Sequence, residues 1–337
     1  MQQPRVAVVG ATGAVGSRVV QILEERNFPL RDLRLLATAR SAGAQVRFRG
    51  QTLTVEPTTP DAFRGADLCF LAVPGASTSR TLAPQAREAG AVVIDKGSAF
   101  RMDPDVPLIV PEVNPEAARG HRGLIATPNC STIQLVVALH PLQQAARLRR
   151  VIVSTYQAAS GAGQAGADEL IAQAQNPEAH PPRVFPRQLA FNVIPHCDSF
   201  EPESGFTQEE LKLRRESRKI LGVADLRLSA TAARVPVVTG HCESVYVETE
   251  RPLSLTEALA VFAAAPGVTL MDDRAAPRYP TALDAAGRDD VLVGRVRVDP
   301  DEPCGLHFWV AADNLRKGAA TNGVQIAELL VREGLLG

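Results

Sequence analysis

Residues 5–26 read RVAVVGATGAVGSRVVQILEER, and this stretch decides the fold. The valine-rich residues 5–9 have the composition of a buried strand, and residues 15–26 carry the apolar spacing of a helix. Between the two runs stands Gly10-Ala11-Thr12-Gly13-Ala14-Val15-Gly16. Glycines at a strand-to-helix turn let the backbone bend sharply and approach a pyrophosphate. The helix N-terminus then offers free N–H groups and a partial positive charge. Gly10, Thr12, Gly13, Ala14, Val15 and Gly16 are therefore candidates for holding a dinucleotide, although the spacing differs from the commoner G-x-G-x-x-G.

Outward from this turn the same rhythm continues. Residues 33–37, 68–73 and 91–94 read as strands and residues 81–89 as a helix. Alternation of this kind predicts an α/β fold with a Rossmann-type doubly wound parallel sheet. The texture changes after Arg150. Residues 151–156, 227–238 and 244–249 look like longer alternating strands of an antiparallel or mixed sheet, the mark of a second, α+β domain. Residues 209–221 and 255–263 read as its helices, and the Pro-rich residues 176–186 as an irregular segment. Residues 319–333 have the spacing of a last helix packed on one face.

The chain has 337 residues, enough for two domains at roughly 100 to 200 residues each. Its 45% hydrophobic and 4% aromatic content suits helices layered on sheets. With 36 basic against 37 acidic side chains there is no global field to draw nucleic acid or an acidic membrane face, so neither is an expected partner. Residues 1–10 run straight into a strand without a secretory pattern, and no apolar run approaches ~20 residues. A cytoplasmic location follows as the expectation. Cys69, Cys130, Cys197, Cys242 and Cys304 are odd in number, scattered and free of any C-x-x-C pair, which suggests neither a disulfide framework nor a metal site.

Two further stretches carry chemistry. At the end of the second strand, where an acidic residue would hold a ribose 2′-hydroxyl, the sequence reads Ala37-Thr38-Ala39-Arg40-Ser41. Arg40 and Ser41 suit a 2′-phosphate and so favour NADP over NAD; the alternative is that Arg40 is one more solvated arginine. Thr127-Pro128-Asn129-Cys130-Ser131-Thr132 precedes an amphipathic run at residues 133–140, so Cys130 should open a helix. Positive potential there lowers a thiol pKa and favours thiolate. The alternative is a small core residue, the usual fate of a free cysteine.

Taken together, these residues resemble the aspartate-β-semialdehyde dehydrogenase family. The match runs in chain order over nearly the whole length. It includes the glycine loop, Ser98-Ala99-Phe100-Arg101, Pro128 to Thr132, Thr155 to Gly163, Arg234-Val235-Pro236-Val237 with Gly240-His241, and Asp313 to Ala320. The resemblance implies that Cys130 is the nucleophile and His241 the general acid/base. Asn129 would shape the pocket and Gln157 would orient the acyl group. Arg234 would clamp the substrate's α-carboxylate, and Glu209 would meet its ammonium. Arg101 and Lys212 would bind phosphate, while Ser160, Gly161 and Asn314 would lie near the nicotinamide half of NADP. It further implies an NADP-binding domain over residues 1–128, completed by the C-terminal segment 314–337, and a catalytic and dimerisation domain over 129–313. The implied small-molecule reaction joins L-aspartate 4-semialdehyde, phosphate and NADP⁺ to L-4-aspartyl phosphate and NADPH. It would occur in a homodimer and serve biosynthesis of lysine, threonine, methionine and isoleucine.

The sequence departs from the family pattern at Lys96 and Gly97, where Asn then Ser is expected, and in the turn Leu71 to Gly75. One rival is another phosphorylating aldehyde dehydrogenase such as N-acetyl-γ-glutamyl-phosphate reductase. Glu209 argues against it, because an acylated nitrogen has no charge to pair. A catalytically silent NADP-binding protein is the rival of another class, and the joint presence of Cys130, His241, Gln157 and Arg234 argues against that.

Overall fold

The valine run near the N-terminus forms strand β1, Arg5–Val9, inside a six-stranded sheet, in a computed structural model that describes residues 3–336. There follow α1 (Ala14–Glu25), β2 (Asp32–Ala37), a hairpin of β3 (Gln45–Phe48) and β4 (Gln51–Thr54), β5 (Glu56–Pro57), β6 (Leu68–Leu71), α2 (Ala76–Glu88), β7 (Val92–Asp95) and β8 (Leu124–Ala126). The sheet runs β5-β2-β1-β6-β7-β8, and every neighbouring pair is parallel. The chain winds outward from β1 in both directions, so the glycine turn sits at the carboxyl end of the strand where the order reverses. Open α/β sheets bind ligands there. β6 stops at Leu71 instead of reaching residue 73, because Pro74 has no N–H to extend the ladder. α2 begins at Ala76, earlier than its apolar spacing predicts, at the turn that Gly75 makes with φ 81°.

The remaining elements form a second unit, Cys130–Gly318, while the first reaches to Asn129 and resumes at Ala319. They are α3 (Cys130–Ala146), β9 (Leu148–Gln157), α4 (Gln164–Gln175), α5 (Gln208–Leu221), β10 (Arg227–Arg234), β11 (His241–Thr249), α6 (Leu255–Ala263), β12 (Val268–Leu270), α7 (Ala282–Ala285), β13 (Val291–Val298) and β14 (Gly305–Ala312). The sheet order is β10-β9-β11-β14-β13-β12. It is mixed: β9 with β10 and β12 with β13 are parallel, the other pairs antiparallel. β10 ends at Arg234, short of the predicted residue 238, because Pro236 cannot donate to the ladder.

α3 is not the amphipathic helix that its spacing suggests. Every residue from Ser131 to Leu139 is buried, since the sheet, α5 and α6 all pack against the helix. α5 starts with a capping box, in which Thr207 Oγ1 accepts the Glu210 N–H and Glu210 accepts the Thr207 N–H. Residues 314–318 cluster with the second unit rather than with the C-terminal helix, because Asn314 accepts the Gly240 N–H at 2.9 Å. The chain returns to the first unit as α8, Thr321–Glu333. Val324, Ala327 and Leu330 of α8 share a core with Val19 and Leu23 of α1, and Arg26 holds Glu328 at 2.7 Å.

Candidate functional site

Cys130 is the first residue of α3 and His241 the first of β11, and Sγ lies 3.4 Å from Nε2 of the imidazole. The other ring nitrogen, Nδ1, accepts the Ala158 N–H at 3.0 Å. An amide N–H only donates, so the ring proton sits on Nε2 and faces the sulfur. Complete burial, with Arg234 adding to it, holds the His241 pKa well below its ordinary 6.5, so the ring is neutral at neutral pH. Space beside the thiol is kept by Gly318, where a β-carbon would stand 3.1 Å from that of Cys130.

The register of β9 on β10 sets Gln157 beside Arg234. Arg234 is buried; its Nη1 donates to the Ala158 carbonyl at 2.7 Å, and its Nε is buried without a partner. Gly161 separates it from the imidazole, since a β-carbon there would meet Nη1 of Arg234 at 2.7 Å and Cε1 of His241 at 3.1 Å. Gln157 Nε2 donates to Ser131 Oγ at 2.7 Å and to Glu209 Oε1 at 3.1 Å. Glu209, in the first turn of α5, also meets Lys212 at 3.3 Å, and Lys212 Nζ donates to Asp198 at 2.5 Å. Burial raises the Asp198 pKa, but the bond to Lys212 and the Ser199 N–H outweigh it and hold the carboxyl below its ordinary value. A continuous polar run thus leads from Ser131 through Gln157, Glu209 and Lys212 to Asp198.

Ser160 and Asn314 bond each other, Asn314 Nδ2 donating to Ser160 Oγ at 3.0 Å. Since Asn314 also accepts the Gly240 amide, the two residues brace the turn that enters β11 one residue before His241.

In the first unit the glycine loop needs its glycines. Gly10 has φ 77°, and a β-carbon on it would lie 2.5 Å from the Ala72 carbonyl oxygen; one on Gly16 would lie 2.0 Å from the Gly10 oxygen. Gly13 precedes α1, no side chain caps the helix, and Thr12, Ala14 and Val15 complete the turn. Arg40 and Ser41 fall on a short turn just beyond β2, with Arg40 exposed. Arg101 is buried and donates to the Lys96 carbonyl at 2.8 Å, and Asn129 is buried next to the start of α3 in sequence. Gly97 is dictated by its neighbours. A β-carbon there would strike Ser79 Oγ at 2.2 Å, where Ser79 and the Gly97 N–H both donate to the buried Asp95.

Ser131 and the Ala158 backbone lie inside matched segments without a role of their own, and Asp198 carries no sequence signal; the part each plays is found only through its partner. Cys69, Cys197 and Cys242 are buried, which pushes Cys197 and Cys242 up to about 12 and Cys69 higher still. Among the described residues no disulfide joins any two of the cysteines. Among the described residues no cluster of three or more His, Cys, Asp or Glu side chains could hold a metal ion, and no helix is long and apolar enough to cross a membrane.

Residues 5–121 match the family model for the semialdehyde dehydrogenase NAD binding domain and residues 139–317 that for the semialdehyde dehydrogenase dimerisation domain. Aspartate-semialdehyde dehydrogenase of Bacillus subtilis is 49% identical, over 98% of both chains. The crystal structure of Vibrio cholerae aspartate semialdehyde dehydrogenase II complexed with ASA is 45% identical, with a TM-score of 0.95 over 98% of this chain and 99% of that one. The Candida albicans enzyme, whose structure is with NADP, is 25% identical with a TM-score of 0.76 over 98% of each chain.

Proposed function

The chain belongs to the aspartate-semialdehyde dehydrogenase family, and from that premise we propose that it interconverts L-4-aspartyl phosphate and L-aspartate 4-semialdehyde through a thioester on Cys130, with NADP as cofactor. The approach of Sγ to Nε2 at the start of a buried helix carries this reading.

The chain's residues fit the cofactor. The glycine turn leaves no room for a β-carbon at Gly10 or Gly16, the helix behind it has no side-chain cap, and Arg40 stands beyond β2 where an acidic side chain would repel a 2′-phosphate. When bound, NADPH supplies the hydride. Gly10, Thr12, Gly13, Ala14, Val15 and Gly16 would hold its pyrophosphate, and Arg40 and Ser41 its 2′-phosphate. Ser160, Gly161 and Asn314 would serve its nicotinamide half.

In the reductive direction the Cys130 thiolate attacks the acyl carbon, the bond from that carbon to the phosphate oxygen breaks, and the thioester forms. Arg101 and Lys212 are the proposed phosphate ligands, stabilising the charge on the leaving group. Reduction of the thioester carbonyl gives a hemithioacetal oxyanion. Its C=O re-forms as the C–S bond breaks, the electron pair returns to sulfur as thiolate, and the Nε2–H of His241 hydrogen-bonds to that thiolate and stabilises it as aldehyde is released. Arg234 has Nη1 pinned by Ala158, which leaves the Nε and Nη2 edge as a fork for the α-carboxylate. Glu209 would receive the ammonium, Gln157 would orient the acyl oxygen, and Asn129 would shape the pocket.

We propose a homodimer formed through the second unit. On the sheet face that carries Cys242 and Ser244, opposite the face of His241, lies a hollow of about 680 Å³ lined by Tyr156, Tyr279, Pro280 and Trp309. The enzyme would act in the cytoplasm, and its product would feed biosynthesis of lysine, threonine, methionine and isoleucine. The test is NADPH formation from aspartate semialdehyde with and without phosphate. Turnover that needs phosphate is expected, and turnover indifferent to phosphate overturns the assignment.

A further inference from the structure

Two residues beyond His241 on β11, Glu243 is completely buried. Residues two apart on a strand share a face, so Glu243 looks toward α3 as His241 does. On α3, Gln134 follows Cys130 by one helical turn and is also completely buried. Helix and strand therefore meet through two successive pairs, Cys130 with His241 and Gln134 with Glu243. Gln134 is close enough to draw the carboxyl's pKa down, although neither side chain closes a hydrogen bond. The cross-strand neighbours of Glu243 are Thr155 on β9 and Val310 on β14. Both carboxyl oxygens, both polar atoms of Gln134 and Oγ1 of Thr155 are buried without hydrogen-bond partners.

No charged side chain faces Glu243 from α3, β9 or β14. The titratable groups sharing its surroundings are His241 on its own strand and Cys130 on α3. Burial pushes the carboxyl well above its ordinary range, and the pull of Gln134 is the lesser effect. A protonated carboxyl has one donor and one acceptor, as a primary amide does, so the two can join through paired hydrogen bonds after a small rotation. An ionised carboxylate has only acceptors and would leave the Gln134 carbonyl unmet.

Resting on Cys130 and His241 as the reacting pair, we propose that Glu243 is a positioning residue: as a neutral acid it joins the Gln134 amide and fixes the height at which α3 presents Cys130 to His241. A carboxylic acid held neutral here also keeps negative charge away from the thiolate.

Glu243→Gln and Glu243→Leu test this by three readouts. Glu243→Gln preserves a donor and an acceptor, so kcat should stay near parental. Glu243→Leu should lower kcat by about 10- to 100-fold with little change in KM, the result of a small misplacement. The pH profile of Cys130 alkylation by iodoacetamide should be unmoved in Glu243→Gln and displaced in Glu243→Leu. Urea unfolding supplies a readout independent of catalysis. With its folded pKa raised, Glu243 keeps its proton where the unfolded chain loses it, so the parent loses stability as pH rises above about 4.3. The gap in urea midpoint between Glu243→Gln and the parent should therefore widen with pH. A constant gap, or an alkylation profile moved to lower pH in Glu243→Gln, would show that the carboxyl is ionised and overturn the proposal. So would parental kcat and parental alkylation in Glu243→Leu. If that variant does not fold, Gln134→Leu removes the same contact from the helix side and is judged by the same outcomes. Activity remaining in Cys130→Ala would remove the nucleophile reading instead, and the urea comparison would still judge the state of Glu243.

Discussion

Cys130 presents its sulfur 3.4 Å from Nε2 of His241, while Nδ1 of the same ring accepts the Ala158 amide at 3.0 Å. A proton on Nδ1 would break that bond, so the backbone adds to burial and Arg234 in keeping the ring neutral. Since the folded pKa is depressed, the unfolded chain takes up a proton first as pH falls. Stability should be lost progressively below about 6.5. Urea midpoints between pH 7.5 and 5 should fall more steeply in the parent than in His241→Gln. Equal slopes would show that His241 charges freely in the fold.

Cys130→Ala should abolish turnover while NADP titration remains near parental, because the thiol and the glycine loop belong to different units. The buried thiols offer no substitute for the partly exposed Cys130, with Cys197 and Cys242 pushed up to about 12 by burial. Substantial turnover in the variant would remove Cys130 from the mechanism.

Gly161→Ala should disturb the two side chains that it separates. The added carbon would stand 2.7 Å from Arg234 Nη1 and 3.1 Å from His241 Cε1, and neither can yield without breaking a bond to Ala158. Although Gly161 itself is exposed, pushing two buried side chains off their bonds costs about 1 to 3 kcal/mol. If that cost falls on the reacting geometry, kcat/KM should drop roughly 10-fold or more. A variant with parental kinetics would show that the arginine moves away at no expense to the site.

What could be read from sequence was what local rules dictate. The glycine loop was legible because a strand, a tight turn and a helix leave a signature within a few residues, and Gly10 and Gly16 are forced by contacts in that same turn and its neighbouring strand. Cys130 at the head of a helix was legible for the same reason. The burial of α3 on all sides was not, because it depends on α5 and α6, which join the chain far downstream. Asp198 bonds Lys212 across an irregular segment, and Glu243 lies beside Gln134 from 109 positions away in the chain, so neither partner can be anticipated from spacing. α4 has no clear helical signature in sequence, because Gly163 precedes it and Gly166 lies within its first turn.

Arg40→Ala should weaken NADP binding and leave NAD binding little changed. Arg40 is exposed on the turn beyond β2, and its guanidinium would contribute one charge-assisted contact of about 1.5 to 3 kcal/mol. That corresponds to a loss of roughly 10- to 150-fold in affinity for NADP. Fluorescence titration of both dinucleotides against parent and variant decides the matter, and unchanged NADP affinity would refute the role.

Arg234→Lys separates the orientation of substrate from its attraction. The guanidinium is fixed in place by Nη1 on the Ala158 carbonyl at 2.7 Å, and the free Nε makes its remaining edge a planar fork. Lysine would keep the charge but define no plane, and it could not serve Ala158 and a carboxylate with the same geometry. Attack requires the thiolate to meet the acyl carbon at about 3 to 3.5 Å, so a substrate that pivots about a single point charge spends less time aligned. We expect kcat/KM for aspartate semialdehyde to fall at least about 100-fold, which is ~2.7 kcal/mol of transition-state stabilisation, with kcat reduced as well as apparent affinity. NADP affinity should be preserved, since Arg234 lies outside the unit that carries the glycine loop. Steady-state kinetics with the aldehyde varied, beside a separate cofactor titration, distinguish the outcomes. Near-parental kcat/KM, or loss of cofactor binding in place of substrate positioning, would mean that another group holds the carboxylate.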